Sequence, residues 1–173
     1  MVFELEPGAP ADIVQCCQVG IWLRQLLTSM KLKCFAKTSG SKGLQIYVPL
    51  NTAVTFEQTK AVSHALAQYL EQDQPKLVTS VMSKAVRKGK VFVDWSQNDQ
   101  HKTTICVYSL RARDEPTVST PVTWEEVETC LKMKKAALLR FRSEPPLARV
   151  ETMGDLFAPV EKLQQKLPKK LRI

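Results

Sequence analysis

A loop rich in glycine, serine and lysine lies between two short apolar segments, and it limits the fold more than any other part of the chain. The loop is Lys37-Thr-Ser-Gly-Ser-Lys-Gly-Leu-Gln45; an apolar run ending at Ala36 precedes it, and the strand-like Ile46-Tyr-Val-Pro-Leu50 follows it. Strand, loop and strand in this order predict a hairpin. A Walker A loop is excluded, because that motif opens a helix and its lysine follows the second glycine, whereas Lys42 precedes Gly43.

The composition of this loop also suits the binding of phosphate. Gly40 and Gly43 allow backbone conformations that are closed to other residues, so that successive N–H groups can converge on an anion. Side chains of the loop add positive charge and hydroxyl donors: Lys37, Lys42, Ser39 and Ser41. Taken alone, the loop fits either a phosphate site or an ordinary hairpin connection.

Size and charge narrow the classes of protein. With 173 residues, 44% of them hydrophobic, the chain fits one globular domain with a substantial core. A net charge of +8 favours a polyanionic partner such as nucleic acid over a merely soluble basic surface. No apolar run approaches the roughly 18 residues of a membrane span, and the acidic start lacks the features of a signal peptide. We therefore expect a cytoplasmic protein without a membrane partner.

The cysteines and histidines do not indicate a metal site. The five cysteines form no Cys-x-x-Cys pair and no zinc-binding spacing with histidine, so we expect reduced thiols that pack in the interior. His64 and His101 stand alone, and we expect structural or surface roles for both.

Segments with strand and helix periodicity alternate along the chain and predict a mixed α and β fold. Thr123 and Glu126 have the spacing of a capping box, which predicts a helix from Thr123 to about Leu131. The other predicted helices cover about 13–30, 56–70 and 78–86, and Asp12 precedes the first of them. The predicted strands are 2–5, 34–36, 44–50, 91–95 and 103–108.

Acidic residues on two predicted strands indicate a divalent metal. Glu4 and Glu6 share one side of a strand, because side chains alternate with a period of two. Asp94 lies near the end of the apolar strand Val-Phe-Val-Asp-Trp, where a carboxylate is costly unless it is paired or liganded. Carboxylates are the ligands that Mg²⁺ and Mn²⁺ prefer, and two such ions can support phosphoryl transfer. For the glutamates alone, a solvated strand face is the alternative.

Arg111 and Arg113 complete a possible site. They share one side if the chain stays extended, and their guanidinium groups suit a triphosphate or a nucleic-acid backbone. Surface charge is the alternative for the arginines alone. Together with the loop and the carboxylates, they predict one site with metal ligands, a phosphate-binding loop and a cationic clamp.

Five motifs in order resemble the polymerase domain of bacterial DNA ligase D, a member of the archaeo-eukaryotic primase superfamily. The resemblance runs from residue 2 to about residue 157. The motifs are Phe3-Glu-Leu-Glu-Pro7, Lys37-Thr-Ser-Gly-Ser-Lys-Gly-Leu44, Lys84-x-x-Arg-Lys-Gly-Lys-Val-Phe-Val-Asp-Trp-Ser-Gln-Asn98, Tyr108-Ser-Leu-Arg-Ala-Arg113 and Pro116-Thr-Val-Ser-Thr-Pro-Val-Thr-Trp124. The resemblance implies an α+β primase-polymerase core, with a mixed or antiparallel sheet and packed helices. Residues 1–160 would form the C-terminal portion of that domain, and 161–173 a basic tail.

The resemblance also implies a function and assigns residues to it. The family performs template-dependent nucleotidyl transfer at DNA ends in non-homologous end joining, often prefers ribonucleotides and uses manganese. By position, Glu4, Glu6 and Asp94 would be the catalytic residues that bind two Mn²⁺ or Mg²⁺ ions. The residues that would contact the nucleotide and its phosphates are Ser39, Lys42, Gln45, Arg111 and Arg113. Implied partners are DNA ends with template and primer, a nucleoside triphosphate, and a ligase or other end-joining proteins in the bacterial cytosol.

Three departures from the family pattern leave a second hypothesis open. The family has Asp-x-Asp where this chain has Glu4-x-Glu6, and histidine at the position of Gln45. The matched region begins at the first motif, so we expect the N-terminal part of the family domain to be missing. Glutamine can donate a hydrogen bond to phosphate but cannot become a cation or transfer a proton. The alternative is a non-catalytic nucleic-acid-binding remnant or partner module of the same family.

Overall fold

The computed structural model describes residues 1–112, 114–142 and 144–168, and a mixed sheet of six strands forms its centre. The order of strands in this sheet is β4-β5-β1-β3-β2-β8, and β6 and β7 form a separate two-stranded ribbon. Only the pair β4 and β5 is parallel. The strands are β1 (Val2–Pro7), β2 (Phe35–Thr38), β3 (Leu44–Tyr47), β4 (Val78–Thr79), β5 (Val91–Asp94), β6 (Leu110–Arg111), β7 (Thr117–Val118) and β8 (Pro121–Val122).

Three helices, at 13–29, 56–73 and 124–133, begin at capping side chains. The predicted capping box of Thr123 and Glu126 is present, and two further boxes start at Asp12 and Thr55. In each box, the side chain satisfies an N–H group that the first turn leaves without a partner. The helices are α1 (Ile13–Ser29), α2 (Phe56–Asp73), α3 (Trp124–Met133), α4 (Glu144–Met153) and α5 (Ala158–Lys162). Among the described residues, no helix is long and apolar enough to cross a bilayer.

One face of the sheet is covered by α1, and this leaves the polar face for the site. Phe3 and Leu5 of β1 are fully buried in the core, together with Leu23 of α1. Gly20 lets α1 approach closely, because a Cβ there would meet Leu44 Cδ2 at 3.2 Å. Side chains alternate along β1, so Glu4 and Glu6 point to the opposite face. All five cysteines are free thiols, and all except Cys106 are buried, as expected for packing residues.

Two of the predicted segments are wrong. Residues 78–86 are not one helix: Val78–Thr79 pairs with β5, and a 3-10 turn covers only Lys84–Val86. The pairing with a buried strand outweighs the local helical spacing, as tertiary context commonly does. Residues 103–108 form no strand: Tyr108 has a positive φ of 61°, and its N–H donates to the Ser119 carbonyl at 2.7 Å. Of the predicted basic tail, residues 169–173 lie outside the described residues.

At the start of β1, the Asn98 side chain forms the backbone hydrogen bonds that a neighbouring strand would otherwise form. β5 ends at Asp94, opposite Glu4, so Val2 has no strand partner on that side. The Asn98 amide accepts from Val2 N and donates to Val2 O, both at 2.8 Å. It also donates to Ser63 Oγ at 3.0 Å, which ties this corner to α2. Asn98 therefore holds the edge of the site strand against the helix layer.

Lys37 of β2 is a fully buried cation that joins separate parts of the chain. Its Nζ donates to Ser119 Oγ at 2.6 Å and to the Ile105 carbonyl at 3.0 Å. The carbonyl bond ties the irregular segment 103–106 to β2 of the sheet. Burial lowers the Lys37 pKa from 10.5 to about 8, although the nearby Glu4 carboxylate acts in the opposite direction.

We predict that Lys37 changes the pH dependence of stability in a definite direction. Between pH 8 and 10.5, the unfolded chain keeps a proton that folded Lys37 has released, so stability rises with pH in this window. The difference in free energy of unfolding between the native protein and Lys37→Met should shift by about 3 kcal/mol in favour of the native protein. Urea unfolding followed by tryptophan fluorescence measures this difference. The same cysteines and tyrosines titrate in both proteins, so a constant difference across the window would contradict the prediction.

Candidate active site

Strand register aligns four polar side chains across the open face of the sheet. Glu4 lies opposite Asp94 on one side and opposite Gln45 on the other, and Gln45 lies opposite Lys37. The result is a row on adjacent strands, in the order Asp94, Glu4, Gln45 and Lys37, which we call the polar row. Directly opposite residues in antiparallel strands have Cβ atoms roughly 5 Å apart, so these groups interact across the strands. Residues far apart in sequence thus meet at one site.

A cavity of about 390 Å³ lies beside the polar row. Most of the residues predicted for the site line it: Glu4, Glu6, Ser39, Lys42, Gln45 and Arg111. Thr103, Thr104 and Ile105 form another part of the wall, which sequence analysis missed because it assigned them to a strand. Asp94 does not line this cavity, but it lies opposite the lining residue Glu4 on the neighbouring strand. Arg113 lies outside the described residues.

Asp94 is held rigidly at the end of β5. Its side chain is buried, and Oδ1 accepts from Ser96 N at 2.8 Å and from Ser96 Oγ at 2.6 Å. Lys102 Nζ donates to the same Ser96 hydroxyl. A carboxylate is stable at a buried position only when such donors replace water. Ser96 and Lys102 are thus supporting residues that sequence analysis did not single out.

Gln97 connects the two acids of the polar row. Its Nε2 donates to Glu4 Oε2 at 3.2 Å and to Asp94 Oδ2 at 3.1 Å. Its Oε1 is buried, and within the described residues it has no hydrogen-bond partner. Leaving a buried polar atom without a partner costs free energy. This cost favours movement of the Gln97 side chain when a stronger partner binds the carboxylates of Glu4 and Asp94. The pair of carboxylate oxygens matches the ligand chemistry of Mg²⁺ or Mn²⁺.

Burial raises the pKa of Glu4 above its ordinary value of 4.5. The hydrogen bond with Gln45 opposes this effect, and the negative charges of Glu6 and Asp94 add to it. Lys37 at the end of the row lowers the pKa slightly. A site that concentrates negative charge and excludes water favours the binding of a cation.

Glu6 has a different partner from the other acids. Its Oε2 accepts from Arg87 NH1 at 2.6 Å, and the Arg87 guanidinium lies over the Phe92 ring at 3.8 Å. Arg87 also donates to the Met82 carbonyl, so the turn before β5 is fastened to the site. In the described parts of the chain, no three histidine, cysteine, aspartate or glutamate side chains converge as a metal site. The structure therefore places Glu4 beside Asp94, whereas Glu6 forms an ion pair with Arg87.

The glycine-rich loop owes its shape to Ser39 and two close approaches. Ser39 Oγ accepts from Ser41 N at 3.2 Å and from Gly43 N at 3.1 Å. Gly40 has a φ of 64°, and a Cβ there would lie 2.8 Å from Arg111 Cγ; a Cβ on Gly43 would lie 2.3 Å from Leu5 O. Only glycine fits at these places. Lys42 remains exposed at the cavity, whereas Lys37 contributes its charge through the polar row.

Comparisons with known proteins identify the family of the chain. The family model described as LigD, primase-polymerase domain, matches residues 1–157. The multifunctional non-homologous end joining protein LigD of Mycolicibacterium smegmatis is 44% identical over 161 residues, which cover 93% of this chain and 20% of that protein. The bifunctional LigD of Bacillus subtilis is 34% identical over 132 residues, covering 76% and 22%.

A solved structure also has the same fold. The polymerase domain of Mycobacterium tuberculosis ligase D, in complex with DNA, superposes with a TM-score of 0.86 and 42% identity, over 95% of this chain and 55% of that one. The chain spans about a fifth of the length of the LigD proteins that it matches. The family match confirms both the α+β fold and the resemblance that the motifs indicated, and the chain belongs to the LigD primase-polymerase domain family.

Proposed function

We propose that this chain binds DNA ends and a nucleoside triphosphate, and that it transfers nucleotides to a primer in non-homologous end joining. The observation that carries the proposal is the cavity in which acidic residues of β1 meet the glycine-rich loop and Arg111. The names of its relatives, LigD end-joining proteins and a polymerase domain in complex with DNA, support the same function. A net charge of +8 suits a nucleic-acid partner.

Each group of the cavity has a distinct task in this proposal. Arg111 and Lys42 bind the triphosphate oxygens, since a guanidinium pairs with two oxygens at once and lysine adds a point charge. Gln45 donates a hydrogen bond to phosphate in place of the family histidine, and it does not transfer a proton. Ser39 keeps the loop in shape through its two backbone partners.

Glu4 and Asp94 would hold a divalent cation, Mn²⁺ or Mg²⁺, and Glu6 would join them for a second one. Such ions stabilise the charge on the reacting phosphate and favour attack by the primer 3′-hydroxyl. Gln97 must turn away first, because its N–H group lies between the two carboxylates. Glu6 must likewise separate from Arg87. The chain's own residues thus provide hydrogen bonds to Glu4 and Asp94 and an ion pair to Glu6, and a cation would replace these contacts.

The same contacts favour a second candidate function, a non-catalytic binding module. Gln97 and Arg87 already give each of the three acids a partner, so none of them depends on a cation for a hydrogen bond. A protein in this state keeps its positive charge and its cavity but does not catalyse transfer. Both candidates bind nucleic acid, but only the first one catalyses nucleotidyl transfer.

Asp94→Asn should separate the two candidates. The amide keeps the shape of the side chain but loses the charge that binds the cation, so incorporation of a labelled ribonucleotide on a primer-template with Mn²⁺ should fall by about a hundredfold or more. Asp73→Asn, at the exposed end of α2, is the matched control and should retain native incorporation. Equal incorporation by native protein and Asp94→Asn would refute the metal assignment. No incorporation by either, with DNA binding intact, would favour the binding module.

Arg87→Ala should strengthen metal binding by releasing Glu6. The ion pair is partly exposed, so the expected gain in Mn²⁺ affinity is about two- to fivefold. Lys88→Ala is the control, because it removes the same charge from the next, exposed residue without touching Glu6. Titration calorimetry with Mn²⁺ measures both variants. If both variants gain the same affinity for Mn²⁺, the gain comes from the loss of one positive charge. The proposal that Arg87 competes with the cation for Glu6 would then be wrong.

A further inference from the structure

A second cavity lies on the other side of the glycine-rich loop. It has a volume of about 450 Å³ and is bounded by the start of α1, the loop Gly40–Gly43 and the segment Ala136–Phe141. Ser41, Lys42 and Gly43 line both cavities, so the loop is the wall between them. Of this lining, sequence analysis assigned a possible binding role only to residues of the glycine-rich loop.

The walls of this second cavity are mostly apolar. Ile13, Val118, Leu139 and Phe141 are among the residues that line it, and the last three are buried members of the fold. Its volume falls within the range of pockets that bind small organic groups. A flat ring whose faces pack against apolar side chains, such as a nucleobase, matches a cavity of this size and lining.

The charged groups of the lining are two cations and one acid. Lys42 belongs to the loop, and Arg140 belongs to the segment Ala136–Phe141 and has a side chain that is 57% exposed. Asp12 is the acid, but its Oδ1 accepts from Val14 N at 2.7 Å and caps α1, where the helix N-terminus offsets its charge. The rim is therefore suited to a phosphate, and the interior is suited to a base.

Positive charge continues along the surface beyond this rim. Arg142 shares Glu115 with Arg140, at 3.2 and 2.8 Å, and Lys134 and Lys135 lie exposed just before the segment that lines the cavity. A free nucleotide would contact only the cations at the rim of the cavity. A row of exposed cations along the surface instead matches the repeated phosphates of a nucleic-acid strand.

We propose that the second cavity holds one nucleotide of a single-stranded nucleic acid, whose neighbouring phosphates follow the cations from Lys134 to Arg142. The proposal rests on the proposed function for its partner class, but it concerns a site outside the reaction centre. Binding here would place a strand directly behind the loop that contacts the triphosphate.

Filling the cavity tests this proposal by binding alone, without turnover. Ala137 is exposed and lines the cavity, so Ala137→Phe fills it without disturbing the core. Leu138→Phe is the matched control, because Leu138 is the exposed neighbour and does not line the cavity. With a fluorescein-labelled oligothymidylate, fluorescence anisotropy should show about fivefold to tenfold weaker binding for Ala137→Phe, the effect of one lost stacked base. The control should bind like the native protein.

A second pair of variants separates the cavity from general electrostatics. Arg140 and Arg142 share Glu115, but only Arg140 lines the cavity. Arg140→Ala should weaken binding of the oligothymidylate more than Arg142→Ala does. Equal losses for this pair, or equal binding by Ala137→Phe and Leu138→Phe, would overturn the proposal. Weaker binding of thymidine monophosphate to Ala137→Phe, with oligothymidylate binding unchanged, would overturn the assignment to a strand. These outcomes do not depend on Asp94, so they are distinct from a failure of the proposed function.

Discussion

The position of β1 between β3 and β5 is the constraint on which the rest of the structure depends. The register places Glu4 between Asp94 and Gln45, and the alternation of side chains places Phe3 and Leu5 in the core below. A shift of register by one residue would exchange these faces, burying the acids and exposing the apolar side chains. The same pairing thus secures the core and assembles the polar row. Stability and site are consequences of one arrangement.

The site concentrates charge and satisfies it with internal partners. Lys37 ends the polar row as a buried cation, Gln97 bridges two of the acids, and Arg87 pairs with Glu6. A buried charge without a partner would destabilise the fold, so these partners are needed whenever no cation is bound. They also compete with any cation that binds. This competition joins the stability of the fold to the chemistry proposed for the cavity.

Local patterns in the sequence predicted the strands β1, β2, β3 and β5 and the helices α1, α2 and α3, and failed where partners distant in sequence determine the backbone. The capping box at Thr123 and the strand of Val91–Asp94 were predicted because their signals are local. Segments 78–86 and 103–108 were not, because Val78–Thr79 pairs with β5, and because residues 105 and 108 bond to Lys37 and Ser119, which lie outside these segments. The motifs indicated the family, and the structural match then confirmed the fold.

The sequence by itself determined the family and the kinds of residue at the candidate site. Residue types and spacing carry this information because chemistry requires particular side chains. Only the tertiary structure decided which charges meet: Glu4 with Asp94 through Gln97, and Glu6 with Arg87. The physical reason is that electrostatic energy depends on distance and burial in space, and strand register, which joins residues far apart in sequence, determines both.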